Sequence, residues 1–346
     1  MKNMLRLSIL GILAAAVVSC SMFDYSGMVV HKYALVYGVT RYTMNALGPN
    51  LQFPHADAVA ISAVLASKGY TVKKSRWVDV AGLVWTDGTN SGQLIGTPVV
   101  FAQDGSTYNN HGPGDPLAPS KANILADIQA LSGVIGPNDV LVVYFSGHGT
   151  QDASGTPPHE YFDPYGSVMD NGSGKFYDYP APSVRDDDLR AVFDAINTPR
   201  KVLILDTCNS GGFIGNQLES DWTSPSSAGS VTVVGPSTLA QAIANYASMQ
   251  SSPTGLSPYG AQVLSAAGRD ELSYEAGSPI NHGIMTYFLL QGLRGLQADL
   301  NHDGQVTVLE AFSYAKAGID QNWNSGNSMS AFEPHVSGGP VDFVLF

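Results

Sequence analysis

The side chains of this sequence best suited to chemistry are one histidine and one cysteine, each placed just after an apolar run. His148 follows the run at 139–145, and Cys208 follows the run at 201–205. A cysteine close to a histidine in space can supply a thiolate nucleophile with a general acid and base beside it. Taken alone, a histidine at a strand end or a buried cysteine is more often structural. Their joint occurrence favours a nucleophilic site.

Glycines flank both residues. The histidine lies in Ser-Gly-His-Gly at 146–149, and the cysteine lies in Asp-Thr-Cys-Asn-Ser-Gly-Gly at 206–212. Glycine lets the backbone approach a substrate closely and present N–H donors to a developing oxyanion. Active sites of open α/β sheets collect beyond the carboxyl ends of the strands. We therefore expect the two segments to meet at one edge of a sheet.

Apolar strands that alternate with helices must position these residues. Continuous apolar runs are typical of strands buried on both faces of a parallel sheet. The pattern predicts strands at 33–39, 71–78, 139–145, 201–205 and 261–267, helices at 56–67, 120–131, 186–196, 283–296 and 308–319, and an edge strand at 341–346. It indicates a single α/β domain at 32–346, with insertions at about 79–118 and 216–258, the first of which could form a β-hairpin.

At this point the sequence resembles a known family. SGHG and DTCNSGG resemble the catalytic signatures of the caspase-like cysteine peptidases, most closely the metacaspase branch and its bacterial relatives. The likeness extends to segments 33–42, 54–70, 262–275, which contains the Arg-Asp-Glu stretch, and 282–295. The resemblance implies a caspase-like α/β/α sandwich with a mostly parallel central sheet. It also implies a cysteine endopeptidase that acts on proteins or peptides.

The resemblance assigns roles to individual residues. Cys208 would attack the peptide carbonyl, and His148 would protonate the leaving amine and later activate water. The backbone N–H groups of Gly149 and Cys208 would hold the oxyanion. Two alternatives stay open: a silent caspase-like module that binds a partner at the cell surface, and a transpeptidase that uses the same acyl-enzyme.

Substrate preference depends on acidic residues. Asp206, two residues before the cysteine, matches the acidic residue that lines the metacaspase S1 pocket, and Asp270 is a candidate second carboxylate. An anion in a specificity pocket selects a cationic side chain, so cleavage after Arg or Lys is expected. The alternative for each residue is a structural role at a turn.

A twelve-residue stretch at 299–310 fits the pattern of a calcium-binding loop. Oxygen ligands at the required spacing would come from Asp299, Asn301, Asp303, the Gln305 carbonyl and Glu310. Gly304 permits the sharp turn of such a loop. The sequence thus predicts structural or regulatory Ca²⁺ and no organic cofactor. The alternative is a helix-capping turn rich in Asp and Asn.

The amino terminus is typical of an export signal. Residues 1–19 combine two basic residues with an apolar stretch too short to span a bilayer, and small residues then lead to Cys20. Val-Val-Ser-Cys at 17–20 resembles a bacterial lipobox, which implies acylation of Cys20, a tether at 20–31 and a lipid-anchored protein of the bacterial cell envelope. The alternative is an ordinary secretory signal with an incidental cysteine.

Composition limits the remaining classes of function. The 346 residues carry 17 Lys and Arg against 29 Asp and Glu, for a net charge of −12. A nucleic-acid binder would show the opposite field, so no nucleic-acid partner is expected. Two cysteines cannot form a disulfide scaffold.

Overall fold

A computed structural model describes most of the chain between residues 29 and 346. The described residues are 29–40, 51–78, four strand segments (84–85, 89–90, 93–94 and 99–100), 118–152, 159–167, 183–208, 261–268, 271–326, 330–337 and 342–346. The export signal, Cys20, Asp270, the insertion at 216–258 and most of the insertion at 79–118 lie outside them. Residues 31–346 group together as one unit.

Parallel strands form the centre of the structure. In chain order the strands are β1 (Lys32–Val39), β2 (Thr71–Val78), β3 (Val84–Trp85), β4 (Thr89–Asn90), β5 (Gln93–Leu94), β6 (Val99–Val100), β7 (Val140–Ser146), β8 (Gly149–Asp152), β9 (His159–Phe162), β10 (Val184–Arg185), β11 (Lys201–Asp206), β12 (Gln262–Ser265), β13 (Glu275–Ala276), β14 (His282–Gly283) and β15 (His335–Ser337). The main sheet has the order β15-β12-β11-β7-β1-β2-β4-β5. Strands β12, β11, β7, β1 and β2 pair in parallel, and antiparallel strands lie at both edges.

Helices cover both faces of this sheet. They are α1 (Pro54–Ser67), α2 (Lys121–Ala130), α3 (Asp186–Phe193), α4 (Ile284–Arg294) and α5 (Val308–Gly318), which continues as a π-helical turn over Ile319–Asn324. Side chains alternate along each strand. Val142 and Tyr144 of β7 therefore join one apolar cluster with α1, α4 and α5, whereas Val143 and Phe145 join a second cluster with α2 and α3. The result is the predicted three-layer α/β/α sandwich with a mostly parallel sheet.

The predicted strands and helices of the described residues are confirmed, with shifts of a few residues at their ends, apart from one. The expected edge strand at 341–346 is wrong, because β15 occupies that edge, antiparallel to β12. The carboxyl-terminal residues instead bond to the segment that leads into α5: Leu345 N donates to Val306 O at 2.8 Å. Phe343 and Leu345 are buried there, so burial of two apolar side chains holds the tail without a strand.

The described part of the chain holds no helix that is both long enough and apolar enough to cross a bilayer.

Candidate functional site

The ends of β7 and β11 bring the histidine and the cysteine together. The two strands are adjacent and parallel, with Ser146 opposite Asp206. Gly147 N donates to Asp206 O at 3.3 Å, so the chains still touch where the strands end. His148 and Cys208 follow directly and line the same pocket. Both are partly exposed, as residues that meet a substrate must be.

The pocket is an open cleft of about 320 Å³ at the carboxyl edge of the sheet. Its lining comes from four regions of the chain: the start of α1, the ends of β7 and β11, the hairpin β13–β14, and the residues just before that hairpin. The lining residues are Leu51, Pro54, Asp57, Ser146, Gly147, His148, Asp206, Cys208, Ser273, Tyr274, Glu275 and Gly283. Three of them carry carboxylates, and Lys and Arg are absent from this lining.

Gly149 lies where the chain after β7 passes closest to the cysteine. A β-carbon built at this position would overlap the carbonyl oxygen of Cys208, so any residue but glycine would push the two segments apart. The carbonyl of His148 accepts a hydrogen bond from Asp163 N at 2.9 Å, which attaches this segment to β9. The use of the Gly149 and Cys208 N–H groups as an oxyanion hole stays a prediction.

The thiol of Cys208 faces Ser273. Its Sγ lies 3.7 Å from the Ser273 carbonyl oxygen and 4.0 Å from Ser273 Oγ. Burial raises the pKa of Cys208, and the carboxylates of Asp206 and Asp163 raise it further, against the opposing effect of the Ser273 contacts. The resting group is therefore a neutral thiol that needs a base to become a nucleophile.

Asp206 is buried beneath the cysteine. Its Oδ2 accepts hydrogen bonds from Thr286 N at 3.0 Å and from Thr286 Oγ1 at 2.6 Å. Burial raises the pKa of Asp206 to about 7, and the charge of Asp57 adds to the rise, whereas the Thr286 donors oppose it. At neutral pH this carboxyl group is thus close to half-protonated.

Asp57 and Asp206 both lie close to Gly283. A β-carbon on Gly283 would overlap Asp206 Oδ2 and come within 3.1 Å of Asp57 Oδ2, so both carboxylates press against this glycine. Asp57 accepts hydrogen bonds from Ser146 Oγ at 2.9 Å, from Gly283 N at 3.2 Å and from His282 Nδ1 at 2.7 Å. Gly283 is the residue that caps the start of α4, and Thr286 lies in its first turn, so the amino terminus of this helix donates to both acids.

Glu275 supplies the third carboxylate of the pocket. Its two oxygens accept from Gln52 N at 2.8 Å and Phe53 N at 3.0 Å, at the turn that begins α1. Burial is the main cause that raises the pKa of Glu275, and Asp57 adds to it. The side chain therefore attaches hairpin β13–β14 to α1 and lines the cleft as well.

Sequence reasoning placed only one of these three carboxylates in the pocket. Asp57 and Glu275 lay within segments that carried the family resemblance, yet neither was assigned a role. For Asp57 the available signal was an acidic residue on the apolar side of a helix, since α1 buries Asp57 together with Ala58 and Ile61. Glu275 offered no such signal, because only the tertiary structure shows which backbone amides it accepts from.

The predicted calcium loop closes on its own backbone. Asp299 accepts from Asp303 N and Gly304 N, and Asp303 accepts from Gln305 N. Glu310 is fully buried and accepts from backbone N–H groups within 300–307, including Thr307 N at 2.9 Å, as part of a capping box with Thr307. The loop thus has the capping geometry of the alternative interpretation. Within the described residues, no group of three or more His, Cys, Asp and Glu side chains is placed to hold a metal ion.

One comparison with known proteins agrees with the caspase-like resemblance seen in the sequence. A family model described as a caspase domain, of the C14 peptidases, matches residues 31–331. A crystal structure of protein GSU0716 from Geobacter sulfurreducens shares 16% sequence identity with the chain, covers 90% of this chain and 95% of that one, and has a TM-score of 0.48. No curated protein matches the chain significantly.

The buried state of Asp206 predicts a stability that depends on pH. The folded protein holds this proton up to about pH 7, whereas an unfolded chain releases it near pH 4, so the free energy of unfolding falls as pH rises between these values. We expect Asp206→Asn to stabilise the protein at pH 8 by about 1–3 kcal/mol, or a few degrees in Tm, and to have a smaller effect at pH 5.

Thermal unfolding at pH 5 and pH 8 measures this effect. Asp194→Asn, at an exposed position of the same chain, controls for the loss of one negative charge. A lower Tm for Asp206→Asn than for wild type at pH 8 would contradict the prediction.

Proposed function

Because the chain belongs to the caspase-domain family of C14 peptidases, we propose that it is a cysteine endopeptidase with Cys208 as nucleophile and His148 as general acid and base. The observation that carries this proposal is the shared cleft: both residues line it, at the ends of adjacent parallel strands. Family membership supports a cysteine peptidase that acts on proteins or peptides, and the residue roles are our proposal.

The reaction follows from the states of these groups. The raised pKa of Cys208 keeps its proton on sulfur until a substrate arrives. As Sγ bonds to the peptide carbonyl carbon, His148 accepts the thiol proton, and the N–H groups of Gly149 and Cys208 take up the oxyanion. His148 then gives the proton to the leaving amine as the C–N bond breaks. Water, activated by His148, hydrolyses the thioester and restores the thiol.

We further propose that the cleft selects Arg or Lys at P1. Asp57, Asp206 and Glu275 line it, and no Lys or Arg is among the described residues of the lining. A cation that enters would pair with buried carboxylates, and low dielectric strengthens such pairing. An acidic P1 side chain would meet like charge and is excluded. Asp270, also predicted to line this pocket, lies outside the described residues, and its role stays a prediction.

Peptide hydrolysis tests these assignments. Among fluorogenic peptides with Arg, Lys, Asp or Asn at P1, we expect turnover with Arg and Lys, and a loss of at least about 10³-fold in Cys208→Ala and His148→Ala. The kcat/KM for Arg peptides should rise with pH through about 7, because Asp206 ionises there. Analysis of products in the presence of an added amine separates hydrolysis from transpeptidation.

Two results would contradict the proposal. Turnover of the Asp peptide alone would refute the role of Asp206. Absence of turnover with every peptide would favour the alternative of a caspase-like module that binds a partner at the cell surface.

We propose that the loop at 299–310 binds Ca²⁺. Its donors are carboxylate, amide and carbonyl oxygens, the ligands that this hard cation prefers. Asp299, Asn301 and Asp303 lie on an exposed turn, where their oxygens can accept an ion in addition to the N–H groups. Glu310, buried in its capping box, would contribute a ligand after it exchanges some of those bonds. The ion would stabilise the entry to α5.

Calcium titration tests this site. At about 100 times its Kd, Ca²⁺ should stabilise the protein by about 2.7 kcal/mol, measured as a rise in Tm, and calorimetry should show one site. We expect Asp299→Ala/Asp303→Ala to lose both effects, with Asp187→Ala on α3 as the control. Heat of binding that persists in the double variant would place the ion elsewhere, and no binding to wild type would leave the loop as a helix cap.

We propose that the chain is exported and anchored by a lipid on Cys20, at the bacterial cell envelope. The support is the sequence of the first 20 residues, which combine a basic start, a short apolar stretch and a lipobox-like ending. Removal of residues 1–19 and acylation of Cys20 would leave Cys208 as the remaining thiol, since the chain has two cysteines.

Phase partitioning in a cloud-point detergent tests the anchor. The wild-type protein should enter the detergent phase and carry one titratable thiol per molecule, which Cys208→Ala removes. Cys20→Ala should move to the aqueous phase and keep residues 1–19. If wild type stays in the aqueous phase with two free thiols, the anchor is refuted and an ordinary secretory signal is favoured.

A further inference from the structure

The two buried carboxylates of the cleft differ in their hydrogen-bond donors. Asp206 is bonded by the backbone and hydroxyl of Thr286, which are neutral groups. Asp57 is bonded by Ser146, by Gly283 N and by His282, whose Nδ1 lies 2.7 Å from Asp57 Oδ1. Among the described residues with a hydrogen bond to either carboxylate, His282 is the one that can carry a positive charge.

The hairpin β13–β14 holds this histidine in place. Ala276 pairs with His282, and Glu275 pairs with Gly283, directly before α4 begins. The side chain of His282 is 17% exposed, whereas that of Asp57 is 1% exposed. The imidazole thus lies between solvent and the buried acid, with one ring nitrogen committed to Asp57.

Two carboxylates pressed against one glycine cannot both ionise easily in an empty cleft. Hydrogen-bond donors and burial decide how such a pair shares its charge, and burial raises the pKa of Asp206. A donor that can be charged stabilises a carboxylate more than a neutral one does. The described titratable groups that face this arrangement are Asp57 from α1, Asp206 and Cys208 from the end of β11, His148 after β7, Glu275 from the paired strand and Tyr144 from β7.

We propose that His282 is a positioning residue for substrate selection, whose hydrogen bond holds the carboxyl group of Asp57 in place for a P1 cation, beside Asp206 as the second acid of the cleft. This inference rests on the proposed cleavage after cationic residues. When a P1 cation enters, it meets the carboxyl group that His282 has oriented. Asp206 then releases its proton to solvent and completes the ion pair.

The test compares two substrates that differ in charge alone. Matched peptides carry Arg or citrulline at P1, and citrulline has the same shape without the positive charge. We expect His282→Leu, which removes the donor, to lower kcat/KM for the Arg peptide by about 10- to 100-fold, mainly through a higher KM. The kcat/KM for the citrulline peptide should change by less than about 3-fold. The acidic limb of the pH profile of kcat/KM for the Arg peptide should move to higher pH.

Two further variants separate a donor from a packing role. His282→Asn places an amide N–H near the position of Nδ1 and should restore most of the discrimination between Arg and citrulline. His31 forms a similar pair with Asp139, at 3.2 Å, at the amino ends of β1 and β7, away from the cleft. His31→Leu should therefore leave the Arg-to-citrulline ratio unchanged. If His282→Leu does not fold, His282→Gln provides a polar replacement whose amide lies too far along the side chain and should behave like the loss of the donor.

The inference would be overturned if kcat/KM fell equally for both peptides, with an unchanged Arg-to-citrulline ratio in both His282→Leu and His282→Gln. The peptidase proposal would stand in that case. Binding of agmatine to Cys208→Ala, measured by calorimetry, provides a readout without turnover. Suppose that wild type cleaves no peptide, but that adding His282→Leu to Cys208→Ala weakens agmatine binding by about 10-fold or more. The peptidase proposal then fails, and the role of His282 stands. Unchanged agmatine binding would overturn the inference as well.

Discussion

The parallel pairing of β7 with β11 is the constraint on which the cleft depends. With Ser146 opposite Asp206, both chains leave the sheet at the same level, and the residues two positions further along each chain are His148 and Cys208. A slip of one residue would turn the side chains of either strand to the opposite face. The two apolar clusters oppose such a slip, because each strand contributes alternate side chains to both of them.

Like charges meet at this same edge of the sheet, which costs electrostatic free energy. Three carboxylates line one cleft whose described lining holds no Lys or Arg, and burial raises the pKa of Asp206 and of Glu275. Such an arrangement does not benefit the empty protein. It suits a ligand that brings its own positive charge, and strain of this kind is characteristic of binding sites rather than of structural cores.

The fold limits that cost through backbone donors. The amino terminus of α4 offers Gly283 N to Asp57 and Thr286 N to Asp206, and the turn before α1 offers two N–H groups to Glu275. Helix termini have N–H groups without partners inside the helix, so the acids and the helices satisfy each other. Hairpin β13–β14 leads into α4, and it is bonded to the start of α1 through Glu275 and His282. The hydrogen bonds that involve the acids therefore also hold the two helices together.

The sequence by itself determined the layered fold and the candidate pair of His148 and Cys208, because continuous apolar strands, helical periodicity and two glycine-flanked signatures are local patterns that can be read from the sequence. It also identified Asp206, which lies two residues from Cys208. Only the tertiary structure decided that Asp57 and Glu275 line the same cleft as Cys208, and that His282 bonds to Asp57. These residues lie more than 60 positions from Cys208 along the chain, and nothing local marks an acid that a distant helix terminus or imidazole will solvate. The carboxyl-terminal tail shows the same limit, since its apolar pattern suits a strand, whereas β15 already occupied the free edge of the sheet.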